Sequence, residues 1–470
     1  MLSRIKYNSY MKAIITNKLI LLQNPSLVVR RSLEQLLSFK DKSKLYQLNR
    51  MAKNPFLKKT QQYKDLEKEA NGKMWKEVPG GHMVFSSGLF HYIERSGIPF
   101  EDRRTDTGDT ISLPWKNKAF DPRDYQREAI DIMKNHYRGV VNLATGMGKS
   151  LIALYAIKEI KKKTLIVVPG ESIAKQFIES LQEAFGEHKV ALYGSGKKKI
   201  ADITVGIAAS IVRNLDEFKE ENLGLIIFDE VHHIAANTFY DIASALGDTG
   251  KIFGLTATDY RSDGKDIMIT AGCGDVKIKR DIKWGVEHKY LAKPVFISKN
   301  IDTRGGDFKD NKLKNYKANV LNDPYMNKQI IEDITNYRDQ GLNVLCLVAE
   351  VAHGEALAKK IGCPFAQGKD SKSQSYVKDL NEGRINCLIG TGGKVGEGTD
   401  TRRVDVLIMA NFMASKGPVI QAIGRGLRIY GDKTECIIID YVPNGSSMLK
   451  RHALQRIEYF KEIVDEVIVS

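Results

Sequence analysis

"ATGMGKS", residues 144–150, follows the apolar run "GVVNL" and opens the helical pattern "LIALYAIKEIKK". Strand, glycine-rich turn, helix is an arrangement built for phosphate. Gly146 and Gly148 let backbone N–H groups approach anionic oxygens, and the helix N-terminus adds a favourable dipole. In such a loop Thr145 and Met147 complete the cradle, Lys149 reaches the β and γ phosphates, and Ser150 ligates Mg²⁺. Leu143 stands where the longer G-x-x-x-x-G-K-S pattern has its first glycine, so the chain meets only the shorter A-x-x-G-x-G-K-S form.

Outward from this loop the same rhythm repeats. "TLIVVP", "ITVGIAAS", "LGLIIFDE" and "KIFGLTAT" alternate with helical stretches such as "ESIAKQFIESLQEAF". Runs of Val, Ile and Leu bounded by turn residues indicate a parallel sheet covered on both faces. The pattern pauses over 275–320 and resumes with "NVLCLVAE", "NCLIGT", "VDVLIMAN" and "ECIIID". The expected fold is α/β, with two parallel-sheet domains in tandem behind a small basic α/β domain. The expected boundaries are 1–112, 113–285, 286–446 and a C-terminal helix in 447–470. Within the first of these, "HMVFSSGLFHYIERSGIPFED" (82–102) reads as strand, helix, strand, with Gly97 near the helix C-cap.

"LIIFDEVHH" (225–233) places two carboxylates 80 residues beyond Lys149. Four apolar residues deliver Asp229 and Glu230 to a strand's C-terminal end, where open α/β sheets bind ligands. Asp229 suits the Mg²⁺ shell, and Glu230 suits orienting and deprotonating a water. Upstream, Gln126 carries an amide able to donate to and accept from an adenine edge. Late in the chain, "QAIGRGLR" (421–428) spaces Gln421, Arg425 and Arg428 at i, i+4, i+7, on one face if the segment is helical.

Composition sets the partners. The net charge is +15 over 470 residues. Residues 1–118 hold 22 Lys and Arg against 11 Asp and Glu, a surplus of 11, and the remaining 352 residues carry only +4. A basic N-terminal quarter points to a polyanion. Five scattered cysteines without a C-x-x-C pair point away from a disulfide framework or zinc site and toward a reducing cytoplasm. There is no secretory signal pattern and no apolar run of the ~18 residues that a membrane span needs.

Read together, Gln126, "ATGMGKS", "VVPGESIAKQF" (167–177), "DEVH" (229–232), "TAT" (256–258), "GEGTD" (396–400) and "QAIGRGLR" resemble the superfamily 2 helicases and translocases, in the family's order. The resemblance covers about 119–440. It implies two RecA-like domains, ATP with Mg²⁺ between them, and nucleic acid crossing both. Arg425 and Arg428 are then arginine fingers for the γ-phosphate, Gln421 helps place the water, and Asp400 meets ribose or a finger. His232, Thr256 and Thr258 couple nucleotide to nucleic acid. Asp259 stands where many relatives have proline, and Ala209 where many have glutamine.

The N-terminal part, and "RHALQRIEYFKE" (451–462), loosely resemble phage recombination and branch-migration helicases. That resemblance implies a monomeric motor on branched or forked DNA, acting in the cytoplasm, or in the host's if phage-encoded. An RNA motor and a duplex translocase without strand separation are the rivals. Tyr63, Trp75, Phe85, Phe90, Tyr92 and Phe100 lie among basic residues, where aromatics stack on unpaired bases or simply form core.

Overall fold

The computed structural model describes residues 11–116, 121–232, 234, 236–257, 264–309, 311–368, 372–392 and 401–470. The chain divides into two compact units, Met1–Leu143 with Gly148–Lys279, and Arg280–Ser470 with Ala144–Met147.

The first unit holds an eight-stranded and a five-stranded sheet. In the larger, Val190–Gly194, Ile203–Ile207, Thr164–Val168, Leu225–Phe228, Lys251–Thr256 and Arg138–Leu143 lie side by side, each neighbouring pair parallel. Every residue of Thr164–Val168, Leu225–Phe228 and Lys251–Thr256 is buried. That is the signature of a sheet covered on both faces, and it is why these strands read as continuous apolar runs. The short edge strand Lys197–Lys198 is antiparallel and made of exposed lysines, a common way to blunt a sheet edge.

The five-stranded sheet runs Trp75–Val78, His82–Ser86, Leu19–Gln23, Lys12–Ile15, Phe100–Asp102. Its strands alternate, so Ala13, Ile15, Ile20, Leu22, Met83 and Phe85 face one core with Val29 and Leu33 of the helix Leu27–Leu36. The 82–102 stretch forms strand His82–Ser86, helix Phe90–Ser96 and strand Phe100–Asp102, as its pattern predicts. Gly97 caps the helix at φ 70, where a β-carbon is disfavoured. The same core takes in Ala236, Met268 and Ala271 from two helices of the same unit, Ala236–Ala245 and Asp266–Cys273. The five-stranded sheet is thus packed onto those helices through apolar burial. Polar bonds pin the edge of that contact. Arg138 is buried, and its guanidinium donates to the carbonyls of Gly272, Asn17 (2.6 Å) and Gly247 (2.9 Å). Burial pulls this guanidinium down to about 10.

In the second unit one sheet carries seven strands, Phe365–Ala366, Cys387–Thr391, Val344–Val348, Val406–Ala410, Glu435–Pro443, Lys293–Ile301 and Ile468–Val469, all parallel. Two strands, Val276–Arg280 and Lys293–Ile301, fall where the sequence pattern pauses. Lysines alternate with apolar residues in the first and flank a short apolar run in the second, so neither makes the long unbroken apolar run of a central strand. The helix Ser447–Lys461 lies against Glu435–Pro443. Its Arg456 is fully buried and donates through Nε to Asp440 at 2.9 Å and through Nη1 to the Met413 carbonyl at 2.9 Å.

Candidate functional site

The glycine-rich loop joins strand Arg138–Leu143 to helix Lys149–Ile160. Gly146 and Gly148 have φ of 90 and 77, in the region where only glycine is unstrained. A β-carbon on Gly148 would lie 2.5 Å from Nε2 of Gln126. The buried Gln126 amide therefore sits directly over the loop, and its Oε1 already accepts the Arg123 backbone N–H at 2.9 Å. Thr145 is buried, and its Oγ1 has no partner among the described residues. Ser150 is the second residue of the helix and is exposed.

Lys149 is buried and reaches across the loop, donating to the Leu143 carbonyl at 3.3 Å and lying 3.4 Å from Oε1 of Glu230. Asp229 and Glu230 follow strand Leu225–Phe228 directly. The Asp229 N–H donates to the Val167 carbonyl at 2.9 Å, which extends the sheet by one rung. Glu230 then breaks the strand at φ 44, a left-handed conformation that costs a non-glycine residue on the order of 1–2 kcal/mol. This turn keeps two consecutive carboxylates beside one ammonium group. Burial first, and then the neighbouring Glu230 charge, push the Asp229 carboxyl above the usual carboxylate range, with Lys149 opposing. His232 Nδ1 lies 3.6 Å from Oε2 of Glu230 and 2.7 Å from Oγ1 of Thr256. A continuous chain runs from Lys149 through Glu230 and His232 to Thr256. Thr258 and Asp400 lie outside the described residues.

One buried and one partly buried carboxylate beside a cation, an unpartnered threonine hydroxyl and left-handed glycines at a helix N-terminus make a donor set that fits a nucleotide polyphosphate and a hard divalent ion. Among the described residues no cluster of three or more His, Cys, Asp or Glu is grouped for a metal.

In the second unit, Gln421 and Arg425 sit on helix Lys416–Gly426, each 7% exposed. The expectation of three residues on one helix face needs correcting. The helix ends at Gly426 with Leu427 as its cap, so Arg428 follows it, partly exposed, with Nη1 3.4 Å from the Thr401 carbonyl. The physical cause is local. Gly424 and Gly426 weaken a helix end. Gly426 is also needed small, because a β-carbon there would lie 3.2 Å from Sγ of Cys436 on the strand beneath.

The N-terminal aromatics are mainly structural. Phe85 is core, while Trp75, Phe90 and Tyr92 pack against it, and Phe90 meets Phe100 edge-to-face at 5.1 Å. Phe100 is nevertheless 45% exposed, and two aromatics outside that group are more so, Tyr46 at 74% and Phe56 at 84%. They stand among Lys42, Lys44, Arg50, Lys53, Lys58 and Lys59. An aromatic within a lysine-rich, weakly apolar helical stretch was the available signal.

The family model described as "Type III restriction enzyme, res subunit" matches residues 119–261. The DNA 3'-5' translocase XPB2 of Sulfurisphaera tokodaii is 31% identical over 383 residues, covering 72% of this chain and 85% of its own. The chain belongs to the superfamily 2 helicases and translocases. A putative ATP-dependent helicase of Saccharomyces cerevisiae, IRC3, is 27% identical over 360 residues, 68% of this chain; the chain spans about half, 51%, of that relative's length. Among solved structures, a fragment of a putative HsdR subunit of a type I restriction enzyme from Vibrio vulnificus YJ016 aligns with a TM-score of 0.54 at 18% identity, over 72% of this chain and 66% of its own. That likeness concerns the fold.

Proposed function

We propose that this protein is an ATP-dependent motor on DNA that remodels branched or forked substrates. The observation that carries the ATPase part is the Lys149–Glu230 pair at 3.4 Å, held by a glutamate in a left-handed conformation at the end of a buried parallel strand. Strain of this kind persists where the surrounding structure requires one side-chain direction.

In this reading the two large sheets are RecA-like domains, 113–285 and 286–446, with 1–112 as the substrate-recognition domain and 447–470 as a C-terminal helix. Gln126, Thr145, Gly146, Met147, Gly148, Lys149 and Ser150 hold the nucleotide, and Asp400 joins them. Ser150 and Asp229 hold Mg²⁺. Bound MgATP supplies the phosphoryl bond whose hydrolysis drives the cycle. Glu230 orients a water and takes its proton, and Lys149 stays paired with that carboxylate until phosphate draws the ammonium away. Gln421, Arg425 and Arg428 stabilise negative charge that develops on transfer, for which the planar guanidinium fork is suited. The bond between His232 and Thr256 transmits the state of Glu230 to strand Lys251–Thr256, which makes this pair, with Thr258, the coupling element.

Support for DNA comes from the basic N-terminal quarter, from Tyr46 and Phe56 exposed among lysines, and from the Sulfurisphaera relative, itself named a DNA translocase. The working state is a monomer, since one chain contains both sets of phosphate-directed residues. No helix among the described residues is long and apolar enough to cross a membrane. The test is ATP turnover by the purified protein alone, then with single-stranded DNA, linear duplex, forked DNA, a four-way junction and structured RNA. Strongest stimulation by fork or junction supports the reading. Stimulation by RNA alone refutes the DNA assignment, and equal stimulation by every DNA refutes the branch preference.

A further inference from the structure

In the second unit, strands Val344–Val348, Cys387–Thr391 and Val406–Ala410 all end at one pocket of about 530 Å³. This is the C-terminal edge of a parallel sheet, the end at which such sheets bind ligands, and the volume is that of a small-molecule site. Its walls include Tyr316, Glu350, Thr391, Asn411, Phe412 and Leu449.

Three costly features meet here. Asn411 is only 6% exposed, yet neither its amide nitrogen nor its amide oxygen has a partner among the described residues. Buried polar groups are nearly always paired, so two orphans on one side chain call for a ligand. Phe412, the next residue, has φ 49, a left-handed conformation that a bulky aromatic rarely adopts. Lys317–Leu321, beginning directly after Tyr316, is a π-helical turn, a feature concentrated at functional sites. Tyr316 is not a competing polar partner. Its hydroxyl pairs with Nδ1 of His353 at 3.1 Å, and its ring stands edge-on to Phe412.

We propose that this pocket captures one unstacked nucleobase, with the Asn411 amide reading its edge. A carboxamide presents a donor and an acceptor side by side, and the bases carry the same pair in complementary order. The aromatic and aliphatic walls accept the flat, weakly polar faces of the ring. Phosphate contacts give most of the affinity of a strand but no fixed register. A seated base supplies that register, marking one nucleotide of the strand on this unit at each step. The inference rests on the nucleic-acid motor reading above. The same chemistry would admit the base of a free nucleoside, so the test separates the two sources.

A short oligothymidylate with one central 2-aminopurine and a fluorescent end label is titrated with the full chain, reading 2-aminopurine emission and label anisotropy together. The variants are Asn411→Leu, which removes the amide but keeps bulk, and Asn411→Ala, which removes both. Nucleic-acid-free ATP turnover and thermal melting confirm that each is folded. The expected result is a saturable emission rise with wild type that falls about tenfold in both variants, while strand affinity by anisotropy changes by no more than about threefold. Equal emission in wild type and variants, with the strand bound, overturns base capture and leaves the motor reading intact. No anisotropy change with wild type defeats the motor reading, and base capture with it. An Asn411-dependent response to free 2-aminopurine riboside but not to the strand overturns the strand assignment.

Discussion

Replacing Glu230 by glycine and by alanine separates the backbone strain at this residue from its chemistry. Both substitutions delete the same carboxylate. Both remove the 3.4 Å pairing with Lys149 and the repulsion against Asp229. They differ only in how they tolerate φ 44. Alanine keeps a β-carbon in the left-handed region at about 1–2 kcal/mol, while glycine relieves that cost but gives back roughly 0.5–1 kcal/mol through its freer unfolded chain. The glycine variant is therefore expected to be more stable than the alanine variant by about 0.5–1 kcal/mol, or about 1–3 °C in the first unit's melting transition. Turnover should fall in both by about two to four orders of magnitude, the usual worth of a positioned general base. The assays are differential scanning calorimetry and DNA-stimulated phosphate release on the same preparations. An alanine variant melting at or above the glycine variant refutes the strain argument. Either variant turning over within about tenfold of wild type refutes the role of Glu230.

Lys149→Ala and Arg425→Ala should each lower turnover by about 10²–10³ in the same phosphate-release assay, with circular dichroism unchanged, and near-normal turnover would show the sites misassigned. Asp229 protonates more readily in the folded protein than in the unfolded chain, so its contribution to stability is complete in acid below the ordinary carboxylate range and is lost as pH rises through its raised folded value; without Mg²⁺, melting temperature measured from mild acid to neutral should fall less steeply in Asp229→Asn than in wild type. Arg138→Met should strip three carbonyls of their donor and cost about 3 kcal/mol or more, read as early proteolysis of the N-terminal domain before the rest of the unit. Arg456→Leu leaves the Asp440 carboxylate buried without its cation and should destabilise the second unit by about 3–5 kcal/mol in urea unfolding.

The sequence by itself determined the α/β class and the glycine-rich turn from strand to helix. Fully buried parallel strands must be apolar throughout, and left-handed turn positions need glycine, so both are written in local composition. It also placed Asp229 and Glu230 together, because they are adjacent in the chain. Only the tertiary structure decided that Glu230 turns left-handed toward Lys149, that Gln126 lies over Gly148, and that His232 meets Thr256. Those contacts join residues 22 to 81 positions apart, which no short-range pattern encodes. The end of the helix at Gly426 and the strands Val276–Arg280 and Lys293–Ile301 were hidden for a related reason. The strands are set by the neighbours alongside them rather than by their own residues, while the helix end follows from Gly424 and Gly426 together with Cys436 packed under Gly426. The orphaned amide of Asn411 is the extreme case: an asparagine after an apolar strand reads as an ordinary turn until the fold buries it without a partner.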